Sequence, residues 1–241
     1  MVKLSEGVRL CIETSGDNGS LALYNGPEKL IDEILWIKKK SGQELATYSL
    51  KSILEKNKLK PSDIKSIALS QGPGSFTGLR VGFNLAKVLC FSLKIPVLLV
   101  DSLMVLAHPM MSQEPAKPIF VFTNAFKNLL FVGCYRGFNT LIEPKPMTVD
   151  EARSLIKESV WALGNGLPML RLNAPKSVES LLNVRPDLGS SGTALSVGAV
   201  SYSVSQLIEI TDYKLLSPLY LRPSQAEENL ALGVIRPAER T

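Results

Sequence analysis

The 241-residue chain is 45% apolar and 20% charged with a net charge of +5, the balance of a globular protein of one large or two small domains. No run approaches the roughly 20 apolar residues of a membrane span, and the opening MVKLSEGVRL lacks a signal-peptide apolar core, so a cytoplasmic protein is expected. Cys11, Cys90 and Cys134 stand far apart in apolar runs and His108 is the single histidine, which excludes a two-histidine metal site within one chain and offers no disulfide frame.

Val8 to Glu13 reads as an apolar strand. A turn from Thr14 to Gly19 follows, in which Asn18-Gly19 favours a hairpin. Ser20 to Tyr24 and Leu30 to Ile37 then complete a three-stranded antiparallel meander. Ser41 to about Lys56 is predicted to be helical, with Ala46, Leu50, Ile53 and Leu54 as its core stripe. Leu45 and Tyr48 fall on another side, with Ser49 and Ser52 beside them. Lys38, Lys39, Lys40, Lys51, Lys56, Lys58, Lys60 and Lys65 gather around this helix. Such a run reads as a solvated face, or as a contact for RNA or an acidic partner. No aromatic stacking motif accompanies it.

The organising stretch runs from Ile67 to Leu99. An apolar strand meets the turn Gln71-Gly72-Pro73-Gly74, a helix spans about Ser75 to Leu93, and Val97 to Val100 forms a second buried strand. This is a parallel strand–helix–strand crossover. Gly72, Gly74 and Gly78 surround Ser75 and Thr77 at the helix N-terminus, a candidate anion site. The same residues describe a tight turn whose Ser75 or Thr77 caps the helix, and the Gly-Lys-Ser/Thr ending of a nucleotide loop is missing. Glu13, Thr14, Ser15 and Gly16 are candidates to approach the same phosphate or a metal.

On a helical projection Leu79, Phe83, Ala86, Leu89, Cys90 and Leu93 form one apolar face. Val81, Leu85, Val88 and Phe91 extend it round the back, leaving Arg80, Asn84 and Lys87 as a narrow polar strip. A surface helix needs an apolar stripe of roughly 100°; this one is wider and must be covered on more than one side, by the chain itself or by another chain.

Asp101 to Ala107 is predicted as a short helix, and His108 to Pro118, with three prolines, as a linker between domains 1–107 and 119–241. His108 reads as a helix-end residue rather than a catalytic base. Strands follow at Ile119 to Thr123 and Leu129 to Tyr135. Thr148 with Glu151 forms a capping box for a helix to Lys157, and Val160 to Leu163 is another strand. Pro175 to Leu182 is predicted helical, Arg185 to Gly192 a loop, and Thr193 to Ile210 a final long helix. The second half echoes the first coarsely.

Several of these pieces together resemble one family. Ile12-Glu13-Thr14-Ser15, the run Gln71-Gly72-Pro73-Gly74-Ser75-Phe76-Thr77-Gly78-Leu79-Arg80-Val81-Gly82, Ala86-Lys87, Ile95-Pro96 and Pro218-Leu219-Tyr220-Leu221-Arg222-Pro223 are similar to the TsaB (YeaZ) family. The resemblance is dense over residues 10 to 106 and returns at 218 to 223. It implies an α/β, actin-like, sugar-kinase-like (ASKHA) fold of two ribonuclease-H-like domains, the last segment packing back on the first. It implies a non-catalytic scaffold for N6-threonylcarbamoyladenosine formation on tRNA, pairing with a TsaD-type catalytic protein that a TsaE-type ATPase joins. The pairing implied uses the first domain's two helices, hence Leu45, Tyr48, Ser49, Ser52, Leu79, Phe83, Ala86, Leu89, Cys90 and Leu93. A homodimer through the same surface is expected when the partner is missing.

Three departures from the family pattern stand out. Glu13 replaces the usual Asp, Gly42-Gln43-Glu44 replaces His-Ser-Glu, and Asn124-Ala125-Phe126 replaces Asp-Ala-Arg. They argue against nucleotide hydrolysis by this chain, so no cofactor of its own is expected and ATP would act in the assembly. The peptidase label of relatives is discounted, because the catalytic relatives hold metal through paired histidines. Two alternatives remain. One is an ATP-dependent small-molecule kinase or ATPase of the same fold, using Glu13 and Asp101. The other is direct tRNA binding through the lysines, which salt would weaken.

Overall fold

A computed structural model describes residues 7–37, 42–188 and 192–223. Lys38, Lys39, Lys40 and Ser41 lie outside the described residues. The first half runs β1 (Val8–Glu13), β2 (Asn18–Asn25), β3 (Leu30–Ile37), α1 (Gly42–Lys56), β4 (Ile64–Gly72), α2 (Phe76–Leu93), β5 (Val97–Asp101) and α3 (Ser102–Met111). The second runs β6 (Ile119–Asn124), β7 (Leu129–Arg136), β8 (Asn139–Thr148), α4 (Val149–Ser154), β9 (Val160–Leu163), α5 (Leu167–Arg171), α6 (Lys176–Glu179), β10 (Leu182–Val184), α7 (Ala194–Ser203) and β11 (Ile208–Ile210).

Two mixed sheets share one plan. In the first, ordered β11-β5-β4-β1-β2-β3, β1 to β3 form an antiparallel meander and β1, β4 and β5 run parallel. In the second, ordered β10-β9-β6-β7-β8, β6 to β8 repeat the meander and β6, β9 and β10 the parallel part. Strand periodicity sends alternate side chains to opposite faces, so each sheet feeds two cores. Leu10, Ile12, Ile67 and Leu69 point to α1 and α2, while Cys11, Ala68 and Val100 point to α3 and α7. That middle core continues into Ile119, Val121 and Tyr135 of the second sheet, whose other face packs Phe122, Leu130 and Val132 under α4 and α5.

The organising stretch folds as its residues dictate. Ser75 caps α2 by accepting from Gly78 N at 3.2 Å, and Lys94 ends it in the left-handed conformation, φ +57°. Gly82 is a close-approach residue: a Cβ there would stand 2.4 Å from Thr14 Oγ1, so only glycine lets α2 lie this close to β1. Leu79, Phe83, Ala86, Leu89 and Cys90 are all 7% exposed or less, and all but Leu79 belong to the chain's own first core; Ser49 of α1 is buried as well. These six side chains, expected at a partner interface, face inward. α2 is also long and apolar enough to cross a membrane, with mean hydropathy 1.2 over 18 residues, but its apolar inner face is packed on the first sheet.

Other differences have local causes. Asn18-Gly19 opens β2 rather than making the turn, because Gly19 lies opposite Trp36, whose indole covers it. α3 runs on to Met111 with Pro109 inside it, so His108 to Met111 are helical, not linker. The capping box of Thr148 and Glu151 is formed, yet α4 stops at Ser154. β8 has no apolar alternation to betray it: it is an edge strand, and edges tolerate its Pro144 and Pro146. The expected helix from Thr193 to Ile210 breaks at Val204, whose backbone is extended. Ile208–Ile210 then pairs antiparallel with β5, returning the chain to the first sheet.

Candidate functional site

The strands β1, β4 and β5 end at the same edge of the first sheet, where the candidate anion-binding residues meet. Glu13 is fully buried, and its carboxylate accepts from Ser15 N at 2.5 Å, from Ser15 Oγ at 2.6 Å and from Ser70 Oγ. It is the internal clamp of the β1 turn and turns no oxygen to a metal. The glycine turn is similarly committed. Ser75 N donates to Ser15 O at 2.7 Å, Gly72 N to Ser102 Oγ at 2.9 Å and Gly78 N to Ser75 Oγ. The two loops expected to cradle a phosphate are thus bonded to each other. Ser15, Gly74, Ser75 and Thr77 still line a cleft, whereas Glu13, Thr14 and Gly72 lie beneath it. Among the described residues no cluster of acids, histidines or cysteines is arranged to hold a metal.

Asp101, the other acid singled out, caps α3 by accepting from Leu103 N at 2.8 Å. Tyr135 of β7 donates its hydroxyl to Asp101 Oδ2 at 2.5 Å, joining the two sheets. Burial pushes the carboxyl up to about 6, while the bonds from Tyr135 and the backbone pull against it. A carboxyl raised in the fold favours the protonated folded form. Its stabilisation is complete below the unfolded value of about 4 and is lost as pH rises through about 6. Tyr135→Phe removes a donor to the carboxylate, so the Asp101 midpoint moves further up in a carboxyl-carbon NMR titration. An unchanged or lower midpoint would break this assignment.

The cleft between the sheets has a volume of about 550 Å³. Its floor is apolar, from Leu79, Leu103, Leu106 and Phe131, and its far lip carries Thr123, Asn124 and Asn165. The third wall is the segment 219–223, a strap over both lips. Leu219 N donates to Gln71 O at 2.8 Å, and Tyr220 packs on Phe76 with centroids 4.7 Å apart. Arg80 lies over the other partner of this pair, 4.0 Å from the Phe76 centroid. On the second sheet Arg222 donates to the carbonyls of Ala125 and Phe126. The motif Pro218 to Pro223 was visible in the sequence, but nothing local said that it bridges two sheets. His108 packs between helices, its Nδ1 3.2 Å from Ser196 Oγ, and burial lowers its pKa.

The outer face of α1 and α2 is the second place of interest. Tyr48, Val88 and Phe91 are exposed, at 69%, 64% and 54%. Leu45, Ser52, Val81, Leu85 and Leu93 are half-buried around them. Phe91 meets Tyr213 edge-on at 4.9 Å. Of the expected interface residues, then, Leu45, Tyr48, Ser52 and Leu93 remain accessible, and Val88 and Phe91 join them. The lysines nearby are dispersed. Lys56 pairs with Asp32 at 2.8 Å and Lys51 with Glu55 at 3.8 Å, while Lys65 caps the carbonyl of Ser62.

These features are similar to those of known proteins. A family model described as "TsaD: tRNA N6-adenosine threonylcarbamoyltransferase" matches residues 38–229. The "tRNA threonylcarbamoyladenosine biosynthesis protein TsaB" of Bacillus subtilis is 27% identical over 226 residues, covering 90% of this chain and 95% of that protein. The protein of the same name from Buchnera aphidicola subsp. Schizaphis graminum is 34% identical over 148 residues, covering 61% and 68%. Among solved structures, YeaZ from Pseudomonas aeruginosa superposes with a TM-score of 0.67 at 18% identity, over 89% of this chain and all 100% of that one. The paired meander-plus-parallel sheets are the two-sheet α/β fold of that structure. With the family model spanning most of the sequence and relatives matched over most of their length, the chain belongs to the TsaB (YeaZ) family.

Proposed function

We propose that this chain serves tRNA N6-threonylcarbamoyladenosine formation as a partner-binding subunit, presenting the outer face of α1 and α2 to a TsaD-type catalytic protein. The observation that carries the reading is that face: a helix pair anchored on its own sheet still exposes Tyr48, Val88 and Phe91. A large exposed apolar patch is the mark of an interaction surface. The biosynthesis-protein names of the relatives and the transferase family model supply the pathway. A TsaE-type ATPase joins the assembly, tRNA is met through the complex, and the chain acts as a scaffold that holds its partner active. Left alone, the same face pairs with a second copy.

The kinase or ATPase alternative finds less support, because Glu13 and Asp101 are both spent on internal hydrogen bonds. Direct tRNA binding by the isolated chain is weakened by the pairing of Lys51 and Lys56. Sedimentation velocity of the chain with the TsaD-type protein of its own organism tests the reading. The expected result is a new species at the summed mass; independent sedimentation at micromolar concentration would overturn it.

A further inference from the structure

After β11 the chain follows α2 from end to end. At the C-terminal end of the helix, Cys90 Sγ donates to Thr211 O at 3.5 Å. The Phe91 ring is held there between Tyr213, edge-on, and Lys94 Nζ, which lies 4.4 Å from its centroid. At the N-terminal end, Tyr220 packs on Phe76 and its hydroxyl accepts from Arg80 Nε at 3.4 Å. Phe76 and Phe91 stand about 22 Å apart along the axis at 1.5 Å per residue. The stretch from Tyr213 to Tyr220 can reach at most about 25 Å, so it has little slack. Just beyond Tyr220, Arg222 grips the carbonyls of Ala125 and Phe126 on the second sheet.

The segment's own hold on the fold is slight. From Thr211 to Pro223 only Leu216 is buried, and it packs in the first core. A segment with a single buried anchor opens locally at low free energy. Leu215, two residues past the Phe91 contact, is 69% exposed, as much as Tyr48 on α1 and more than Val88 on α2. An exposed leucine beside a fixed, half-exposed aromatic pair continues the apolar patch of the helix face, and fixed aromatic side chains are the usual anchors of a protein contact.

We infer that the segment Thr211–Tyr220 is a third strip of the pairing surface, with Tyr213 and Leu215 beside Phe91, and that docking of the partner there steadies the turn at residues 125–129 through Arg222. This rests on the pairing reading above and adds two things to it. The partner covers residues from the end of the chain as well as the two helices. Pairing also reaches the far lip of the cleft, on the second sheet, through a taut connection rather than by direct contact.

The test is amide exchange of the full chain, alone and mixed with the TsaD-type protein of its own organism, beside sedimentation of variants. Pairing is expected to slow exchange about tenfold or more in both 211–216 and 125–129. Leu215→Asp is expected to weaken pairing about tenfold or more with Tm unchanged to within about 2 °C, because an exposed side chain contributes little to the isolated fold. In Arg222→Ala, residues 211–216 should still gain protection on pairing while 125–129 should not. A gain at 125–129 that survives this substitution would mean that the partner covers the turn directly, and would overturn the connection. If the two proteins sediment independently, the pairing reading fails and the third strip with it. If they pair and Val88→Asp breaks the pair, but Leu215→Asp pairs as tightly as the unmodified chain or 125–129 gains no protection, the pairing reading stands and the third strip is overturned.

Discussion

Val88→Asp is expected to abolish pairing with the TsaD-type protein while leaving the chain folded. Val88 is 64% exposed, so the substitution costs the isolated chain little. At an apolar contact the carboxylate must be stripped of water without a partner. A loss of at least about 100-fold in affinity, roughly 3 kcal/mol, is the scale for a central contact residue, with Tm unchanged to within about 2 °C. Phe83 sits on the same helix at 2% exposure, and Phe83→Ala should instead cost about 3–5 kcal/mol of folding stability. Leu89→Asp, at 7% exposure, belongs with Phe83: it would read as a folding defect, and its loss of binding would say nothing about the contact. Sedimentation of the Val88→Asp chain with the partner decides the matter. A folded variant that still pairs normally removes the outer face from the proposal.

The contrast between Val88 and Phe83 shows what was legible in the sequence. The helix, its caps and its surplus of apolar residues follow from local spacing. Which side of the helix is the inside does not. The family resemblance implies that the densest apolar arc, Leu79 to Cys90, meets a partner, whereas Phe83, Ala86, Leu89 and Cys90 pack in the first core. Val88 and Phe91, on the arc that extends it round the back, are the accessible ones. Gly82 holds the missing signal: a glycine in a helix marks a close approach, and the approach is to Thr14, just after β1.

The sheets divide in the same way. β1, β2 and β4 to β7 announce themselves through apolar runs because both their faces are largely buried, and β3, a half-exposed edge strand, through its own apolar residues. β8 and β11 are edge strands with mostly exposed residues, so their pairing depends on neighbours that no local pattern encodes. The cleft was half legible. Its loops stand out as Gly and Ser clusters, but the amides of Gly72, Ser75 and Gly78 are bonded within the fold. The pairing of Asp101 with Tyr135 and the bridging by Arg222 are contacts across 34 and 97 residues, beyond the reach of any motif.

Arg222→Ala is expected to release the strap. Phe126, Lys127 and Asn128 have φ of +61°, +50° and +61°, and left-handed backbone costs non-glycine residues roughly 1–2 kcal/mol each. Such a turn persists only where its surroundings hold it. Part of that hold is the Arg222 guanidinium, which grips two successive carbonyls, those of Ala125 and Phe126. Hydrogen bonds from a charged donor contribute about 1.5–3 kcal/mol when well buried; Arg222 is half-exposed, so the lower end applies. Amide exchange in residues 125–129 and 217–221 should therefore rise together by about tenfold, with α2 and β1 unchanged. Arg222→Lys should recover only part of the protection, because a flexible, strongly hydrated ammonium holds the two carbonyls less firmly than the planar guanidinium, whose Nη1 donates to both. Exchange that rises in the strap alone, with 125–129 still protected, would mean that Asn124 and Asn165 hold the turn by themselves and that the strap merely rests on it. Coupled exchange would instead make the strap a tie between the two sheets, and the third wall of the cleft a part that can be loosened without touching either core.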